Sequence, residues 1–259
     1  MRANQFISTL IAAVLALGLS TGAIAADVLR IGVEGAYKPF SWKEADGTLK
    51  GFDIDIALAL CAEMKRECKL VEQDWDGIIP ALLAKKYDAI IASMSITDER
   101  KKRVDFSNKY YNTPGKFVAP KGSGLKVSKK GLDGKRVGVQ RGTTHQCNLE
   151  KMFPGAEVVM YATQEEVFQD LAIGRIDAQI SDSIAADEGF LMTDSGKDFE
   201  FVGADQTDLG CYGEGAGVAV RKQDGELKGQ FNKAIQAIRK NGTYQKINAK
   251  YFDFDIFGG

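Results

Sequence analysis

The chain has 259 residues, of which 44% are hydrophobic and 27% are charged, a length that suits one large domain or two lobes. Its 34 basic residues almost balance its 35 acidic residues, so no basic excess indicates binding to nucleic acid or to an anionic membrane surface. The single histidine excludes a metal site made of several histidine ligands.

The N-terminal residues have the pattern of a secretory signal peptide. Arg2 supplies a positive charge, residues 10–17 form an apolar run, and residues 23–25 read Ala-Ile-Ala, an A-x-A cleavage site. A membrane anchor is the alternative, but the apolar run is shorter than the roughly 20 residues that a bilayer span needs. We therefore predict that residues 1–25 are removed on export, which also removes Arg2 and leaves a net charge of about −2.

Apolar spacing predicts short strands alternating with amphipathic helices along the rest of the chain. In the first half, the predicted elements are strands over 29–33, 69–72 and 89–92, helices over 52–64 and 77–84, and a hairpin turn at residues 46–47. In the second half, they are an extended segment over 116–120, strands over 136–139, 157–160, 176–180 and 217–220, and helices over 144–152, 165–172 and 226–240. This alternation predicts an α/β fold with mostly parallel, doubly wound sheets, and the last helix is expected to return to the first half.

One strand–helix–strand pattern occurs twice. Four pairs of positions correspond between the two copies: Gly32 with Gly138, Glu34 with Gln140, Asp88 with Asp177, and Ser93 with Asp182. Each copy places a polar residue where a strand ends. Two similar α/β lobes with polar strand ends predict a ligand held between them.

The four cysteines raise the question of disulfides, because an exported protein is exposed to oxidising conditions. Cys61 and Cys68 flank a short stretch in which a helix is expected to end, so the chain can turn back and pair them. We predict this disulfide. Cys147 and Cys211 are far apart in the sequence, and they either pair or are buried as free thiols.

Seven segments carry a resemblance to a known family. They are GFDIDIA at 51–57, WDGIIPALLAKKYDAIIASMSIT at 75–97, ER followed by DFS within 99–107, VGVQRGTT at 137–144, GRIDA at 174–178, EGAGVAVRK at 214–222, and GTYQKINAKYFDFDI at 242–256. With these segments in this order, residues 28–257 resemble the family 3 extracytoplasmic solute-binding proteins, which are the capture subunits of ABC importers for polar amino acids. The chain is most similar to the lysine/arginine/ornithine-binding and histidine-binding members.

The resemblance implies the two-lobe periplasmic binding protein fold, with a central ligand cleft and hinge closure of the lobes over the ligand. Lobe 1 is expected over residues 26–112 and 214–259, lobe 2 over residues 113–213, and the hinge segments near 112–116 and 206–216. The expected protein is a periplasmic monomer without cofactor, metal or catalytic residue, and it passes its ligand to the membrane subunits of an ABC permease. A chemoreceptor is a further partner that the closed protein could contact.

The resemblance also assigns residues to the backbone atoms of an amino-acid ligand. Arg100 follows the family pattern S-x-S-x-T and is expected to bind the ligand carboxylate through parallel hydrogen bonds, which lysine cannot form. Asp182 is expected to bind the ligand ammonium, with an ordinary strand-end turn as its alternative. Further hydroxyl or backbone contacts are expected from Ser93, Ser95, Thr143 and Thr144. For the two threonines, helix capping is the alternative.

Three residues are expected to contact the ligand side chain: Glu34, Tyr37 and Trp75. The two aromatics match the family pair that stacks on the ligand, and each cation–π contact contributes about 0.5–2 kcal/mol. Glu34 lies where the binders of basic amino acids place an acid, so the predicted ligand is arginine, lysine, ornithine or histidine. A surface charge is the alternative for Glu34, and a core aromatic is the alternative for Trp75. Met94 and Gln140 complete the expected ligand-binding residues.

Some positions depart from the nearest family members. Glu34 is longer than their aspartate, Ala92 lacks a hydroxyl that some of them have, and Trp75 is bulkier than their phenylalanine. Opine-binding relatives also use a glutamate and a tryptophan, so an opine receptor is a second candidate. A third is a periplasmic cyclohexadienyl-type dehydratase on the same fold, in which Arg100 would bind a substrate carboxylate. A Ser-His-Asp triad would have to use His145, which we expect instead at the cleft edge or as a helix cap.

Overall fold

The structure is a computed structural model that describes residues 28–258, so the predicted signal peptide and the outermost residues predicted for lobe 1 lie outside the described residues. The strands are β1 Leu29–Val33, β2 Ala36–Tyr37, β3 Ser41–Lys43, β4 Leu49–Lys50, β5 Cys68–Glu72, β6 Ala89–Ile90, β7 Asp105–Tyr111, β8 Gly115–Pro120, β9 Arg136–Gln140, β10 Glu157–Tyr161, β11 Ala178–Asp182, β12 Phe199–Gln206 and β13 Ala216–Val220. The helices are α1 Phe52–Glu63, α2 Trp75–Leu83, α3 Asp98–Lys101, α4 Thr144–Met152, α5 Gln164–Ala172, α6 Ser183–Ala186, α7 Leu209–Tyr212, α8 Gly225–Lys240 and α9 Thr243–Tyr251. None of the helices within residues 28–258 is long and apolar enough to cross a membrane.

Two five-stranded sheets divide the chain into two lobes. The sheet of lobe 1 has the strand order β5-β1-β6-β13-β7, and the sheet of lobe 2 has the order β10-β9-β11-β8-β12. A small antiparallel sheet, β2-β3-β4, follows β1 and contains the predicted hairpin turn between β3 and β4. The predicted two-lobe α/β fold is therefore confirmed.

The prediction of mostly parallel sheets is wrong, because each five-stranded sheet is mixed. In lobe 1, β1 pairs in parallel with β5 and β6, whereas β13 pairs antiparallel with β6 and β7. In lobe 2, β9 pairs in parallel with β10 and β11, whereas β8 pairs antiparallel with β11 and β12. The cause is that the chain crosses between the sheets twice. A strand that enters its sheet from the cleft must run opposite to the strands that end there.

Two segments of the chain cross between the sheets. The first crossing, residues 112–114, leads from β7 into β8, and the second crossing, residues 207–215, leads from β12 through α7 into β13. The chain therefore leaves lobe 1 after β7 and returns to it with β13. Both crossings pass at the edge of the cleft between the sheets.

The hydrogen bonds of the two sheets confirm the repeat that the sequence predicts. In lobe 1, the backbone N–H of Arg30 on β1 donates to Asp88 Oδ2 at 3.1 Å. In lobe 2, the backbone N–H of Arg136 on β9 donates to Asp177 Oδ2 at 2.8 Å. Since the two aspartates precede β6 and β11, each ties the first strand of its copy to the neighbouring parallel strand.

Helix α8 packs on lobe 1, as the sequence predicts. Its apolar side chains Phe231, Ile235 and Ile238 are buried in the same core as residues of α1 and β1. Burial of each such side chain contributes about 1.5–3 kcal/mol, so this helix is an integral part of lobe 1 although it follows lobe 2 in the sequence.

Both cysteine pairs form disulfides. The predicted bond between Cys61, at the end of α1, and Cys68, at the start of β5, is confirmed, with Cα atoms 5.7 Å apart. The open question about the other pair is settled as well: Cys147 on α4 is bonded to Cys211 on α7, with Cα atoms 5.6 Å apart. The second disulfide joins lobe 2 to the second crossing.

Candidate functional site

A cavity of about 570 Å³, part of it open to solvent, lies between the two sheets near the ends of β1, β6, β9 and β11. Ten of the eleven residues predicted to bind ligand line this cavity. They are Glu34, Tyr37, Trp75, Ser93, Ser95, Arg100, Gln140, Thr143, Thr144 and Asp182.

Met94 is the predicted residue that does not line the cavity. Its side chain is fully buried in the core of lobe 1, as is that of Ile96, whereas Ser93 and Ser95 are only partly buried and line the cavity. Over residues 94–96, where Ser95 pairs with Ala216, successive side chains point to opposite sides, which explains why Met94 and Ile96 are in the core and Ser95 is at the cavity. The Met94 carbonyl accepts a hydrogen bond from Gly217 N at 3.0 Å and so joins this segment to β13.

Arg100 is held in place by groups from both lobes. It lies on α3, whose N-cap Thr97 accepts a hydrogen bond from the Arg100 backbone N–H. The guanidinium donates from Nη1 to Ser95 O at 3.0 Å and from Nη2 to Gly142 O at 3.2 Å, and its Cζ lies 5.1 Å from the centre of the Trp75 ring. Burial lowers the pKa of Arg100 to about 10, so the side chain is cationic at neutral pH. A guanidinium has five N–H donors, so these two bonds leave donors for a ligand.

The N-terminus of α4 faces the cavity beside Arg100. Thr143 is the N-cap: its Oγ1 accepts from Gln146 N at 3.3 Å and donates to Gln140 O at 2.7 Å, so the capping role left open for this residue is present. Thr144 and His145 follow it in the first turn and line the cavity. The N–H groups of a first helical turn have no acceptor inside the helix, and the helix dipole favours negative charge there. This end of the cavity therefore suits a carboxylate.

Glu34 is buried at the end of β1, with only 6% of its surface exposed. Its Oε1 accepts a hydrogen bond from Gln140 Nε2 across the cleft at 2.6 Å, and the same amide group also donates to Ala162 O at 3.1 Å. Burial raises the pKa of Glu34 to about 7, and the hydrogen bond from Gln140 only partly opposes that effect. The surface-charge alternative for Glu34 is therefore wrong. The two residues that correspond in the repeat meet here directly.

Asp182 lines the cavity and also has the strand-end role that the sequence gave as its alternative. Its Oδ1 accepts from the backbone N–H groups of Ile184 at 2.9 Å and Ala185 at 3.3 Å, which makes it the N-cap of α6. Its Oδ2 accepts a hydrogen bond from the hydroxyl of Thr113 in the first crossing. Burial raises the pKa of Asp182 to about 6. Burial also raises the pKa of Tyr37, which lines the same cavity, and the charge of Asp182 adds to this effect.

A buried aspartate behind the cavity fixes the position of Ser93. Ser93 has a φ of 52°, a left-handed backbone conformation that is uncommon for residues other than glycine. Its Oγ donates to Asp53 Oδ2 at 2.9 Å, and Tyr110 Oη donates to Asp53 Oδ1 at 2.9 Å. Because the Ser93 hydroxyl proton is given to Asp53, a contact from Ser93 to a ligand would come from its hydroxyl oxygen or its backbone.

Eight further residues line the cavity without having been predicted to bind ligand: Ala92, Tyr111, Asn112, Thr113, His145, Tyr212, Gly215 and Ala216. Six of them belong to the two crossings or lie next to them. The crossings are outside the repeat, so aligning its two copies gives no signal for them, and only the glycine-rich stretch at 210–217 marks one of them. His145 does lie at the cleft, as expected, and burial together with the charge of Arg100 lowers its pKa to about 3.

The two lobes are in contact around the cavity. The hydrogen bond between Glu34 and Gln140 and that from Arg100 to Gly142 O both cross the cleft. Outside the cavity, Arg141 Nη2 of lobe 2 lies 2.7 Å from Asp76 Oδ2 on α2 of lobe 1. Exposed ion pairs of this kind contribute about 1 kcal/mol or less, so the buried contacts matter more for holding the lobes together.

The family profile that matches this chain is described as bacterial extracellular solute-binding proteins, family 3, and it covers residues 29–254. The chain belongs to this family. Membership agrees with the two lobes and with a polar cavity between them. It also confirms the resemblance drawn from the sequence motifs.

Relatives of this solute-binding protein are similar over almost their whole length. An L-arginine-binding protein of Pseudomonas aeruginosa is 54% identical over 243 residues, which cover 93% of this chain and 94% of that protein. The lysine/arginine/ornithine-binding periplasmic protein of Escherichia coli is 44% identical over 256 residues, which cover 96% and 98% of the two chains. These relatives are named as binding proteins, which supports the prediction of a binding protein rather than an enzyme.

Solved structures give the same result. A Salmonella typhimurium periplasmic binding protein described for its high arginine specificity has a TM-score of 0.81 and 34% identity, covering 88% of this chain and all of that chain. An ancestral arginine-binding protein bound to arginine has a TM-score of 0.80 and 39% identity, covering 87% and 98%. The predicted fold class and the predicted class of protein are both confirmed.

Proposed function

We propose that this protein captures a basic L-amino acid, with L-arginine as the first candidate, and delivers it to the membrane subunits of an ABC permease. The observation that carries the proposal is the set of ionisable groups in the cavity. Two buried acids, Glu34 and Asp182, and one half-buried base, Arg100, line the same space. A basic amino acid has the complementary set, since it carries two cationic groups and one carboxylate.

The two acids lack a cationic partner among the residues that the structure describes. Glu34 receives its hydrogen bond from an amide, and Asp182 receives its bonds from a hydroxyl and two backbone N–H groups. Burial raises the pKa of both groups, to about 7 and about 6. A buried carboxylate is costly unless a charge pairs with it, so a ligand with two cationic groups is favoured over a neutral amino acid.

The positions of the three groups give the ligand a direction. The ligand carboxylate binds Arg100 and the first turn of α4, and the ligand ammonium binds Asp182. The side chain then extends between Tyr37 and Trp75 towards Glu34. In this orientation each charged group of the ligand meets an opposite charge, and Gln140 closes over Glu34 from the other lobe.

The names of the relatives support a basic ligand. The relative with 54% identity is named for L-arginine, and the one with 44% identity is named for lysine, arginine and ornithine. A Silicibacter pomeroyi structure from a His/Glu/Gln/Arg/opine-binding family, in complex with lysine, has a TM-score of 0.78 and 34% identity. That relative keeps opines among the ligands to be tested.

Delivery to a permease requires opening and closing of the lobes, with lobe boundaries at 112/113 and 213/214. Hydrogen bonds in the first crossing support its boundary: Asn112 N donates to Ile256 O of lobe 1, whereas the Thr113 hydroxyl donates to Asp182 of lobe 2. Contacts from lobe 2 that form only in the closed state give the ligand a higher affinity for that state. The permease then recognises the closed protein in the periplasm, after removal of residues 1–25.

A thermal-shift panel on refolded, ligand-free mature protein tests the ligand class. The panel contains the common amino acids, ornithine, octopine, nopaline and prephenate, because a ligand that binds only the folded state raises the Tm by mass action. We expect large shifts with arginine, lysine, ornithine or histidine alone. Shifts confined to opines would move the substrate class, and a shift with prephenate alone would favour the dehydratase. N-terminal sequencing of protein from the periplasm checks cleavage after residue 25.

A further inference from the structure

We propose that the Cys147–Cys211 disulfide positions the carboxylate-binding end of the cavity, so that its reduction lowers the affinity for the ligand. This inference rests on the proposed function, because it takes a basic L-amino acid as the ligand. The disulfide itself does not line the cavity. Its effect comes from the two elements that it joins, α4 and α7.

Both elements reach the ligand end of the cavity within a few residues of the disulfide. Cys147 lies one helical turn after Thr143 and Thr144, at the N-terminus of α4 where the ligand carboxylate is proposed to bind. Cys211 lies on α7, directly before Tyr212, which lines the cavity. The bond thus fixes Tyr212 relative to the first turn of α4.

Tyr212 is the side chain that transmits this positioning. Its Oη lies 3.2 Å from Nδ1 of His145, and the two ring centres are 5.4 Å apart in an edge-on arrangement. The pKa of His145 is lowered to about 3 by burial and by Arg100, so the imidazole is neutral, and its Nδ1 accepts a hydrogen bond from the Tyr212 hydroxyl or donates one to it, according to the tautomer. Tyr212 also lies against the start of β8, where a Cβ on Gly115 would be 2.1 Å from Tyr212 Oη. One side chain therefore contacts both α4 and the start of β8, directly after the first crossing.

Besides the disulfide, helix α7 is held to lobe 2 by the buried side chain of Tyr212, which packs against His145 of α4. It is a single turn of four residues, and helices this short are not stable on their own. Its Leu209 side chain is 76% exposed, and the backbone bonds of Cys211 and Tyr212 go to Asp208 at its own N-cap. The disulfide is thus a second covalent connection between α7 and lobe 2, in addition to the backbone through residues 207–208.

The chain changes lobes directly after this tie. Glu214 N donates to Ile96 O at 3.1 Å, and Ile96 N donates to Gly215 O at 2.8 Å, so residues 214–215 belong to lobe 1. Between them and α7 lies Gly213, whose φ of 66° and ψ of −145° suit glycine alone. With the disulfide intact, motion in this part of the second crossing is confined to Gly213. When the disulfide is reduced, α7 and Tyr212 become free to move together with Gly213.

The expected consequence is a loss of preorganisation. In the reduced protein, ligand binding has to order α7 and Tyr212 again, and that ordering lowers the affinity. Linkage makes the effect reciprocal: a ligand that binds the disulfide form more tightly stabilises the disulfide against reduction by the same factor.

Calorimetric titration of L-arginine into three proteins tests the proposal: the wild type, the Cys147→Ser/Cys211→Ser variant and the matched Cys61→Ser/Cys68→Ser variant. The control removes the disulfide that joins α1 to β5, and neither of its cysteines lines the cavity. We expect the first variant to bind at least about tenfold more weakly and the control to bind within about twofold of the wild type. A Tyr212→Phe variant, which keeps the ring but loses the hydroxyl, should bind several-fold more weakly.

Equal affinities of wild type and Cys147→Ser/Cys211→Ser overturn the proposal, and so does an equal loss in both cysteine variants. If the variant does not fold, the thiol–disulfide equilibrium of the wild type is measured with and without L-arginine. We expect arginine to shift that equilibrium towards the disulfide at least about tenfold, and no shift overturns the proposal.

The outcomes also separate this inference from the proposed function. If the wild type binds no basic amino acid, the proposed function is wrong. If the wild type binds and the Cys147→Ser/Cys211→Ser variant binds equally well, only this inference is wrong.

Discussion

The two lobes share one scaffold and differ at the ends of their strands. In both, an arginine at the start of the central parallel strand pairs with an aspartate before the neighbouring strand. Arg30 Nη2 lies 2.7 Å from Asp88 Oδ1, and Arg136 Nε lies 3.7 Å from Asp177 Oδ2. At the other ends of these strands, at the cleft, the residue types diverge.

The paired residues that the lobes share hold each sheet together, whereas the strand-end residues that differ line the cavity. Lobe 1 places an acid, Glu34, after β1 and a hydroxyl, Ser93, after β6. Lobe 2 reverses the arrangement, with an amide, Gln140, at the end of β9 and an acid, Asp182, at the end of β11. The two acids therefore come from different lobes and different strand positions, in agreement with the proposal that they bind two separate cationic groups of one ligand.

Arg100→Ala is expected to have the largest effect on binding, because the described residues of lobe 2 place no lysine or arginine in the cavity that could bind the ligand carboxylate instead. Loss of a buried charged partner costs about 3–5 kcal/mol, so the affinity for every amino acid should fall by about 100-fold or more. Calorimetric titration measures the change. Arg100→Lys, which keeps the charge but loses the parallel bonds, should be intermediate, and Arg103→Ala, at an exposed position nearby, should bind like the wild type. Retained binding in Arg100→Ala would mean that another group holds the carboxylate.

Glu34→Gln places a glutamine directly after β1, so that this position matches Gln140 at the end of β9. The variant should bind arginine about 10- to 100-fold more weakly, since a charge-assisted bond is lost, while binding of glutamine should change little. The ratio of the two dissociation constants is the measurement. An equal loss for both ligands would remove Glu34 from the selection of cationic side chains.

Asp182→Asn tests the acid of lobe 2. Because Asp182 is assigned to the ligand ammonium, the affinity should fall by about tenfold for any amino acid with a free ammonium, whatever its side chain. The asparagine retains an oxygen for the helix cap, so the Tm should change little. Dissociation constants for arginine and glutamine that match those of the wild type would show that Asp182 serves only as the cap of α6.

The pH dependence of binding follows from the two raised pKa values, about 7 for Glu34 and about 6 for Asp182. In the unfolded chain both groups titrate near about 4, so the contribution of these carboxyls to stability is complete below about pH 4 and is lost as the pH rises through about 6 to 7.

A cationic ligand favours the ionised forms of Glu34 and Asp182. Arginine binding near pH 6 should therefore release protons, and the affinity should rise about tenfold or more between about pH 5 and 8.

Calorimetry near pH 6 in buffers of different ionisation enthalpy measures the proton release. Glu34→Gln is the control, because it should lose the larger part of the release. A binding enthalpy that does not depend on the buffer would show that both carboxyls are already ionised before the ligand binds.

Substitution of either paired aspartate, Asp88 or Asp177, should leave the ligand affinity unchanged, but the two variants should differ in their free energy of unfolding. Asp88 lies near the buried Arg221 as well as Arg30, whereas Asp177 pairs with the half-exposed Arg136. Arg221 keeps its closer partner Asp224 at 2.6 Å, so Asp88→Ala loses mainly the hydrogen bonds to Arg30 and should lower the free energy of unfolding by about 2 kcal/mol, and Asp177→Ala by about 1 kcal/mol or less. Urea unfolding measures the difference. A change in the arginine affinity of either variant would contradict the separation of scaffold from strand ends.

The sequence predicted the parts of the molecule that depend on local pattern or on the repeat. The strand ends that line the cavity, Glu34, Gln140, Ser93 and Asp182, follow from the repeat because a strand of given length places its last residue at a fixed edge. Met94 was misplaced because the resemblance gave its position along the chain but not its side. The positions of β8 and β13 were predicted but their antiparallel direction was missed, since that direction depends on where the chain crosses between lobes.

The contacts of the crossings could not be predicted for a related reason. Tyr212 meets His145 across 67 residues, and Thr113 meets Asp182 across 69 residues. No periodicity or motif relates such positions, and only the folded arrangement of both lobes brings them together. The same applies to Cys147 and Cys211, whose pairing the sequence left open.

A crystal structure of the mature protein with L-arginine tests the central claim most directly. The account predicts that the α-carboxylate lies against Arg100 and the first turn of α4, that the ammonium contacts Asp182, and that the guanidinium pairs with Glu34 between Tyr37 and Trp75. A ligand bound in the reverse direction, with its guanidinium at Asp182 and away from Glu34, would contradict it.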